Sequence, residues 1–120
     1  MSKVIGIVGS RRRNSEDDYK IVVKVFFDNY VKGDIIVSGG CPKGADHFAE
    51  LIASSNDICI KIFPANWNKY GRGAGIIRNT DIAKMADMLI ACVAADRKGG
   101  TEDTVKKFKK FHPSDKIVLC

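Results

Sequence analysis

None of the four cysteines, Cys41, Cys59, Cys92 and Cys120, has a partner at C-x-x-C spacing, and two of them fall inside apolar runs. No zinc-ribbon pattern or disulfide framework follows from such spacing, and no metal or cofactor is expected. Buried or incidental thiols of a reducing compartment fit better. No run is long and apolar enough to cross a membrane, so no membrane partner is expected. The first residues lack the length and the small-residue cleavage site of a signal sequence. The residues Val4-Ile5-Gly6-Ile7-Val8 read instead as a first strand, and the protein as cytoplasmic. There is no internal repeat, low-complexity tract or linker. A chain of 120 residues suffices for one modest core and not for two, which predicts a single domain over 1–120.

Acids are the scarcer charge. Twenty Lys and Arg stand against 14 Asp and Glu, for a net charge of +6. The excess favours anionic partners without choosing between a nucleotide and a nucleic acid. Part of it lies in Lys106, Lys107, Lys109 and Lys110, where a solvated final helix turn complementing the helix dipole accounts for it.

What is present is an alternation of short apolar runs with amphipathic ones. The runs Val4–Val8, Ile35–Val37, Ile58–Phe63, Met88–Val93 and Ile117–Leu119 read as five strands. They are almost continuously apolar, as strands covered on both faces should be. Helices are expected over about Glu16 to Val31, Ala45 to Ser55 and Ile76 to Ala86, with a fourth beginning at Thr101 as its cap. Ser15 with Asp18 three positions on has the form of a capping box. The pattern predicts an α/β fold, a three-layer Rossmann-like sandwich of about five parallel strands with flanking helices.

Ligands of such sheets bind beyond the carboxyl ends of the strands, near the point where strand order reverses. Four segments leave strands at that edge: Gly9 to Arg13, Ser38-Gly39-Gly40-Cys41-Pro42-Lys43-Gly44-Ala45-Asp46, Pro64 through Asn79, and Ala94 through Thr101. All carry glycine, which lets backbone amides approach an anion, and helix N-termini add partial positive charge. The familiar phosphate fingerprints fail. Gly39 to Gly44 has P-loop spacing, but Ala45 and Asp46 replace the lysine and the hydroxyl residue, which excludes an ATPase of that kind. Gly6 and Gly9 do not form the dinucleotide motif.

The motifs "VGSR", "SGGCPKGAD", "FPANWNKYGRGAGIIRN" and "GGTEDT", each following a strand and in that order, resemble the SLOG superfamily. The branch is that of small YpsA-related bacterial and phage proteins, a domain of unknown function. More distant members are LOG phosphoribohydrolases, which cleave nucleotide N-glycosidic bonds, and DprA, which binds single-stranded DNA. The resemblance implies a shared nucleotide- or phosphate-binding crevice. It also implies a homodimer as one form, since LOG-like relatives are often dimers. In the LOG motif a catalytic glutamate follows G-G-x-G-T by two residues; aligned on Gly100-Thr101, that place holds Thr104 here.

Three functions follow as expectations. The first is binding of a nucleotide or nucleotide-derived ligand, as a sensor. The second is N-glycosidic hydrolysis by another acid, with Asp46, Glu102 and Asp103 as candidates. The third is single-stranded nucleic-acid binding through Arg11–Arg13 and the lysine-rich last helix. The ligand-binding candidates are Gly9, Ser10, Arg11, Ser38, Gly39, Gly40, Gly44, Trp67, Arg78, Asn79, Gly99, Gly100 and Thr101. Each has a structural alternative. Gly39 to Gly44 would otherwise be a plain strand-to-helix turn. Trp67 would stack on a base with Tyr70, or else bury its ring to anchor the long loop. Arg78, near Arg72, would clamp a phosphate, or else pair with Asp46 or Asp81.

Overall fold

The computed structural model describes residues 2–120, with Arg72 described through its main chain alone. Five strands form one sheet: β1 (Val4–Gly9), β2 (Ile35–Ser38), β3 (Ile60–Ile62), β4 (Met88–Cys92) and β5 (Ile117–Leu119). All neighbours pair in parallel, in the order β3-β2-β1-β4-β5. The expected α/β sandwich of five parallel strands is therefore the fold.

Alternation along the strands divides the core between two faces, because successive side chains of a strand point to opposite sides. Ile5, Ile7, Ile36, Met88, Ile90 and Cys92 pack on one side, under α1 (Glu16–Asn29) and α2 (Ala45–Asn56). Val8, Val37, Leu89 and Ala91 pack on the other, under α4 (Ala74–Met85) and α5 (Gly100–Phe111). Phe26 of α1 and Phe108 of α5 are fully buried and anchor their helices to opposite faces. Full burial of each such side chain is worth about 2–3 kcal/mol, which far exceeds what helix propensity contributes.

Local chemistry sets the helix ends. Ser15 caps α1, accepting from the Asp18 amide at 3.0 Å, while Asp18 accepts from the Ser15 amide at 3.2 Å. The expected capping box is thus present. The helix stops at Asn29, short of the expected Val31, because Tyr30 is already extended. Helix α4 begins at Ala74, two residues before the expected start, and a short helix α3 (Trp67–Tyr70) with a 3-10 turn over Gly71–Gly73 occupies the segment read as a loop. Helix α5 begins at Gly100 with Gly99 as its cap, so Thr101 is not the N-cap. Strand β3 pairs over three residues of the expected run, as the exposed edge of the sheet.

Candidate functional site

The chain runs outward from β1 through β2 to β3, then crosses to the other side of β1 for β4 and β5. Strand order therefore reverses between β1 and β4. A cavity of about 320 Å³ opens there, at the carboxyl ends of the two strands. Its walls come from Gly9 at the end of β1 with Ser10 and Arg11 after it, from Lys98 through Thr101 before and within α5, and from Arg78 and Asn79 of α4. Asp46 and Cys41 contribute from the segment after β2, and Thr104 from the first turn and a half of α5.

The three consecutive arginines have three different surroundings. Arg11 lines the cavity and is exposed, with no hydrogen-bond or ion-pair partner among the described residues. Arg12 makes a two-pronged pair with Asp96, at 2.8 and 2.7 Å, and a further bond to the Lys98 carbonyl at 3.1 Å. It ties the two rims of the cavity together, and the pair holds the Asp96 carboxyl below its ordinary value. Arg13 turns away to Asp18 at 2.9 Å and to the main-chain oxygens of Val93 and Cys120. Sequence reading placed all three where an anion would sit; the fold leaves Arg11 available.

The loop after β2 is closed by its own contacts. The Gly44 amide donates to Asn14 Oδ1 at 2.7 Å, and the Ser38 hydroxyl donates to the Ile7 carbonyl at 2.7 Å. Gly44 has a φ of +77°, and a Cβ there would come within 2.5 Å of the Ser10 carbonyl oxygen. Glycine at 44 therefore serves close packing of two loops in a conformation L-residues avoid. Ser38, Gly39, Gly40 and Gly44 do not line the cavity, and of this loop only Cys41 does. They form the layer behind it.

That layer positions the charged groups. Arg78 Nη1 donates to the Gly39 carbonyl at 2.7 Å, and its Nε to Asn79 Oδ1 at 3.0 Å. It makes neither of the ion pairs expected as its alternative; its bonds go to the main chain and to an amide. Asn79 in turn donates to the Gly100 carbonyl at 3.3 Å and to Asp103 Oδ2 at 3.1 Å, which fixes the start of α5 against α4. The side chain of Arg72 lies outside the described residues.

Three acids were candidates for chemistry, and they are placed differently. Glu102 accepts from Arg97 Nε, and Asp103 accepts from Asn79 and from Lys107 at 2.9 Å; neither lines the cavity. Asp46 does. It is 7% exposed, and its Oδ2 accepts from the Cys41 amide at 3.2 Å. Burial raises its carboxyl above the ordinary value, against the opposing pull of that amide and of the Arg78 charge. Thr104 is 1% exposed and faces the cavity.

Trp67 is 57% exposed and Tyr70 is 43% exposed, so neither ring is the buried anchor of the loop, and neither lines the cavity. Five wall residues belong to none of the sequence-based candidates: Val8, Cys41, Ile82, Lys98 and Thr104; Arg12, also in the wall, entered there only as part of the Arg11–Arg13 run. Lys98 carried the one usable signal, a cation directly before Gly99-Gly100. Among the described residues no group of His, Cys, Asp and Glu is arranged to hold a metal ion. No protein family, curated protein or solved structure matches the chain.

Proposed function

We propose that the chain binds a nucleotide or a nucleotide-derived small ligand in this cavity, as a sensor domain rather than a hydrolase. One observation carries the reading. At the strand-order reversal, the Gly9-Ser10 turn and the N-terminus of α5 converge on a single cavity with Arg11 and Arg78 in its wall. Amides at a helix start and guanidinium groups both favour phosphate oxygens. Asp46, beside Arg78 in the same wall, would accept from a sugar hydroxyl or a base amino group. The volume, about 320 Å³, suits a mononucleotide rather than a dinucleotide.

The ordered motifs that resemble a YpsA-related SLOG domain support the same assignment. Binding is preferred to hydrolysis because Thr104 occupies the place of the catalytic glutamate, while Glu102 and Asp103 are engaged by Arg97, Asn79 and Lys107. Only Asp46 among the three candidate acids reaches the cavity.

The test is thermal melting with AMP, GMP, CMP and UMP, followed by chromatography for free base. A nucleotide held about a hundredfold above its Kd should stabilise the chain by about 2.7 kcal/mol, with no base released. Arg78→Ala should remove the shift and Lys109→Ala should keep it. Release of base would favour the hydrolase, and a shift undiminished in Arg78→Ala would place the ligand elsewhere.

A further inference from the structure

We propose that Cys92 and Cys120 form an oxidisable dithiol, a modification site that closes to an intrachain disulfide on reaction with a hydroperoxide. The ladder between β4 and β5 pairs Ala91 with Leu119. It continues one step further: the Cys120 amide donates to the Ala91 carbonyl at 3.0 Å, and the Val93 amide to Cys120 O at 3.3 Å. Cys92 and Cys120 are therefore directly opposed on adjacent strands. Such neighbours stand about 4.8 Å apart, within the roughly 4.4–6.8 Å between α-carbons that a disulfide spans. Both thiols also point to one side of the sheet. Cys92 joins the core beneath α1, and Cys120, with Val118, packs against that same cluster.

The two sulfurs are unequal in ways that suit successive steps. Cys92 is fully buried, whereas Cys120 is partly open. Arg13 is fixed beside both, donating to Cys120 O at 2.7 Å and to Val93 O at 3.1 Å. The neighbouring Cys92 thiol lowers the Cys120 thiol from its ordinary value, and the Arg13 charge adds to that pull, against burial and the Asp18 charge. The Cys120 thiol, with burial, pushes Cys92 up. Cys120 is thus the sulfur that ionises, and thiolates are the nucleophiles.

In the first step the Cys120 thiolate attacks one oxygen of the hydroperoxide. The O–O bond breaks, and the departing alkoxide takes a proton and leaves as an alcohol, or as water from hydrogen peroxide. Cys120 becomes a sulfenic acid. The Cys92 sulfur then attacks the Cys120 sulfur, the S–O bond breaks, and hydroxide leaves with the Cys92 proton as water. Two thiols have lost two electrons and two protons, and the hydroperoxide has taken up both.

The bond would form beneath the rim of the cavity. The Ser10 amide donates to Cys92 O at 2.9 Å, and a Cβ at Gly9 would stand 2.9 Å from the Cys92 Cβ. Cys41 and Cys59 have no comparable relation. They precede α2 and β3, whereas β4 and β5 lie across β1 from these elements.

The experiment is peptide mapping of the reduced chain before and after hydrogen peroxide, with free thiols alkylated at each stage. The expected result is a species lighter by two hydrogens, in which the Cys92 and Cys120 peptides are linked and Cys41 and Cys59 are alkylated. Dithiothreitol should reverse it. The Cys41→Ser/Cys59→Ser double variant should give the same linked species. Unlinked Cys92 and Cys120 peptides, still fully alkylated while Cys59 is oxidised, would overturn the proposal. Linkage of Cys120 to Cys41 or Cys59 in the wild-type chain would overturn it equally, and neither result depends on any variant folding.

Discussion

Arg78 and Asp46 occupy the space that a side chain at position 39 would need. A Cβ on Gly39 would stand 2.5 Å from Arg78 Nη1 and 2.8 Å from Asp46 Oδ2. The guanidinium is held by the Gly39 carbonyl and the carboxylate by the Cys41 amide. A cation and an acid are thus seated side by side on a bare stretch of backbone, fastened to the main chain rather than to each other.

Gly39→Ala is expected to push one of these groups from its seat, at a cost of about 1–3 kcal/mol in urea unfolding, as for other overpacked sites. Arg78→Ala removes the nearer of the two obstacles. The double variant Gly39→Ala/Arg78→Ala should therefore be more stable than the sum of the single losses predicts, a coupling that a double-mutant cycle reads directly. Additive losses would mean that Arg78 does not fill this space. Gly100→Ala is the contrast, because a Cβ there meets nothing within 4 Å. It should leave stability unchanged or raise it by up to about 1 kcal/mol, as alanine does in a helix.

Asp46 should make the folded chain less stable as pH rises. Burial raises its carboxyl above the reference value of 3.8, so the folded state keeps a proton that the unfolded chain has released. From 3.8 upward, until the folded group also ionises, the folded state binds more protons and stability falls. Asp46→Asn has no such slope. The stability of Asp46→Asn relative to wild type should therefore increase across that window and level off above it. A relative stability that is flat with pH would show that the carboxyl titrates normally.

Asp34 should act in the opposite sense. It is buried at the amino edge of the sheet, where it accepts from the Lys3 amide at 2.9 Å, the Val31 amide at 2.9 Å and the Lys3 ammonium group. Burial works against its charge, but these donors prevail and hold the carboxyl below 3.8. Its contribution is complete above 3.8 and is lost as pH falls through the lower, folded value. Asp34→Ala strands two main-chain donors and should cost about 2 kcal/mol or more at neutral pH. Asp34→Asn retains one acceptor oxygen and should cost less. Nucleotide-dependent stabilisation should persist in both, since this carboxylate lies at the opposite edge from the cavity.

Much of the fold was legible because its causes are local. Continuous apolar runs such as Val4–Val8 and Met88–Val93 mark strands buried on both faces, and the Ser15–Asp18 box marks a helix start within four residues. The helical turn at Trp67–Tyr70 escaped notice because four residues show no period and Gly71, Gly73 and Gly75 follow at once. For the site, the sequence showed which segments reach the carboxyl edge. It did not show which of their amides are already engaged. The bond from Gly44 to Asn14 joins residues 30 apart, and the one from Arg78 to Gly39 joins residues 39 apart. Such pairings depend on the packing of whole elements, so the glycine-rich loop after β2 reads as a floor when it is the support behind one.

The run Arg11-Arg12-Arg13 offers the sharpest separation of ligand binding from architecture, because neighbours of identical chemistry have different surroundings. Arg11 has no partner among the described residues and lines the cavity. Arg11→Ala should leave urea unfolding unchanged and weaken nucleotide-dependent stabilisation, with the loss shrinking at high salt as screening reduces the contribution of an exposed charge. Arg12 is exposed in its pair with Asp96, so its loss should leave stability unchanged while releasing one rim of the cavity from the other. Arg13 is the structural member. Its guanidinium joins Asp18 of α1 to two main-chain oxygens at the ends of β4 and β5, and Arg13→Ala should cost about 2 kcal/mol. Arg13→Lys should recover little of this, since an ammonium cannot span three acceptors in a plane. Urea unfolding and nucleotide melting shifts on the three alanine variants check the order. If Arg11→Ala lowers stability while Arg13→Ala lowers only nucleotide binding, the roles are reversed and the cavity is not where the anion sits.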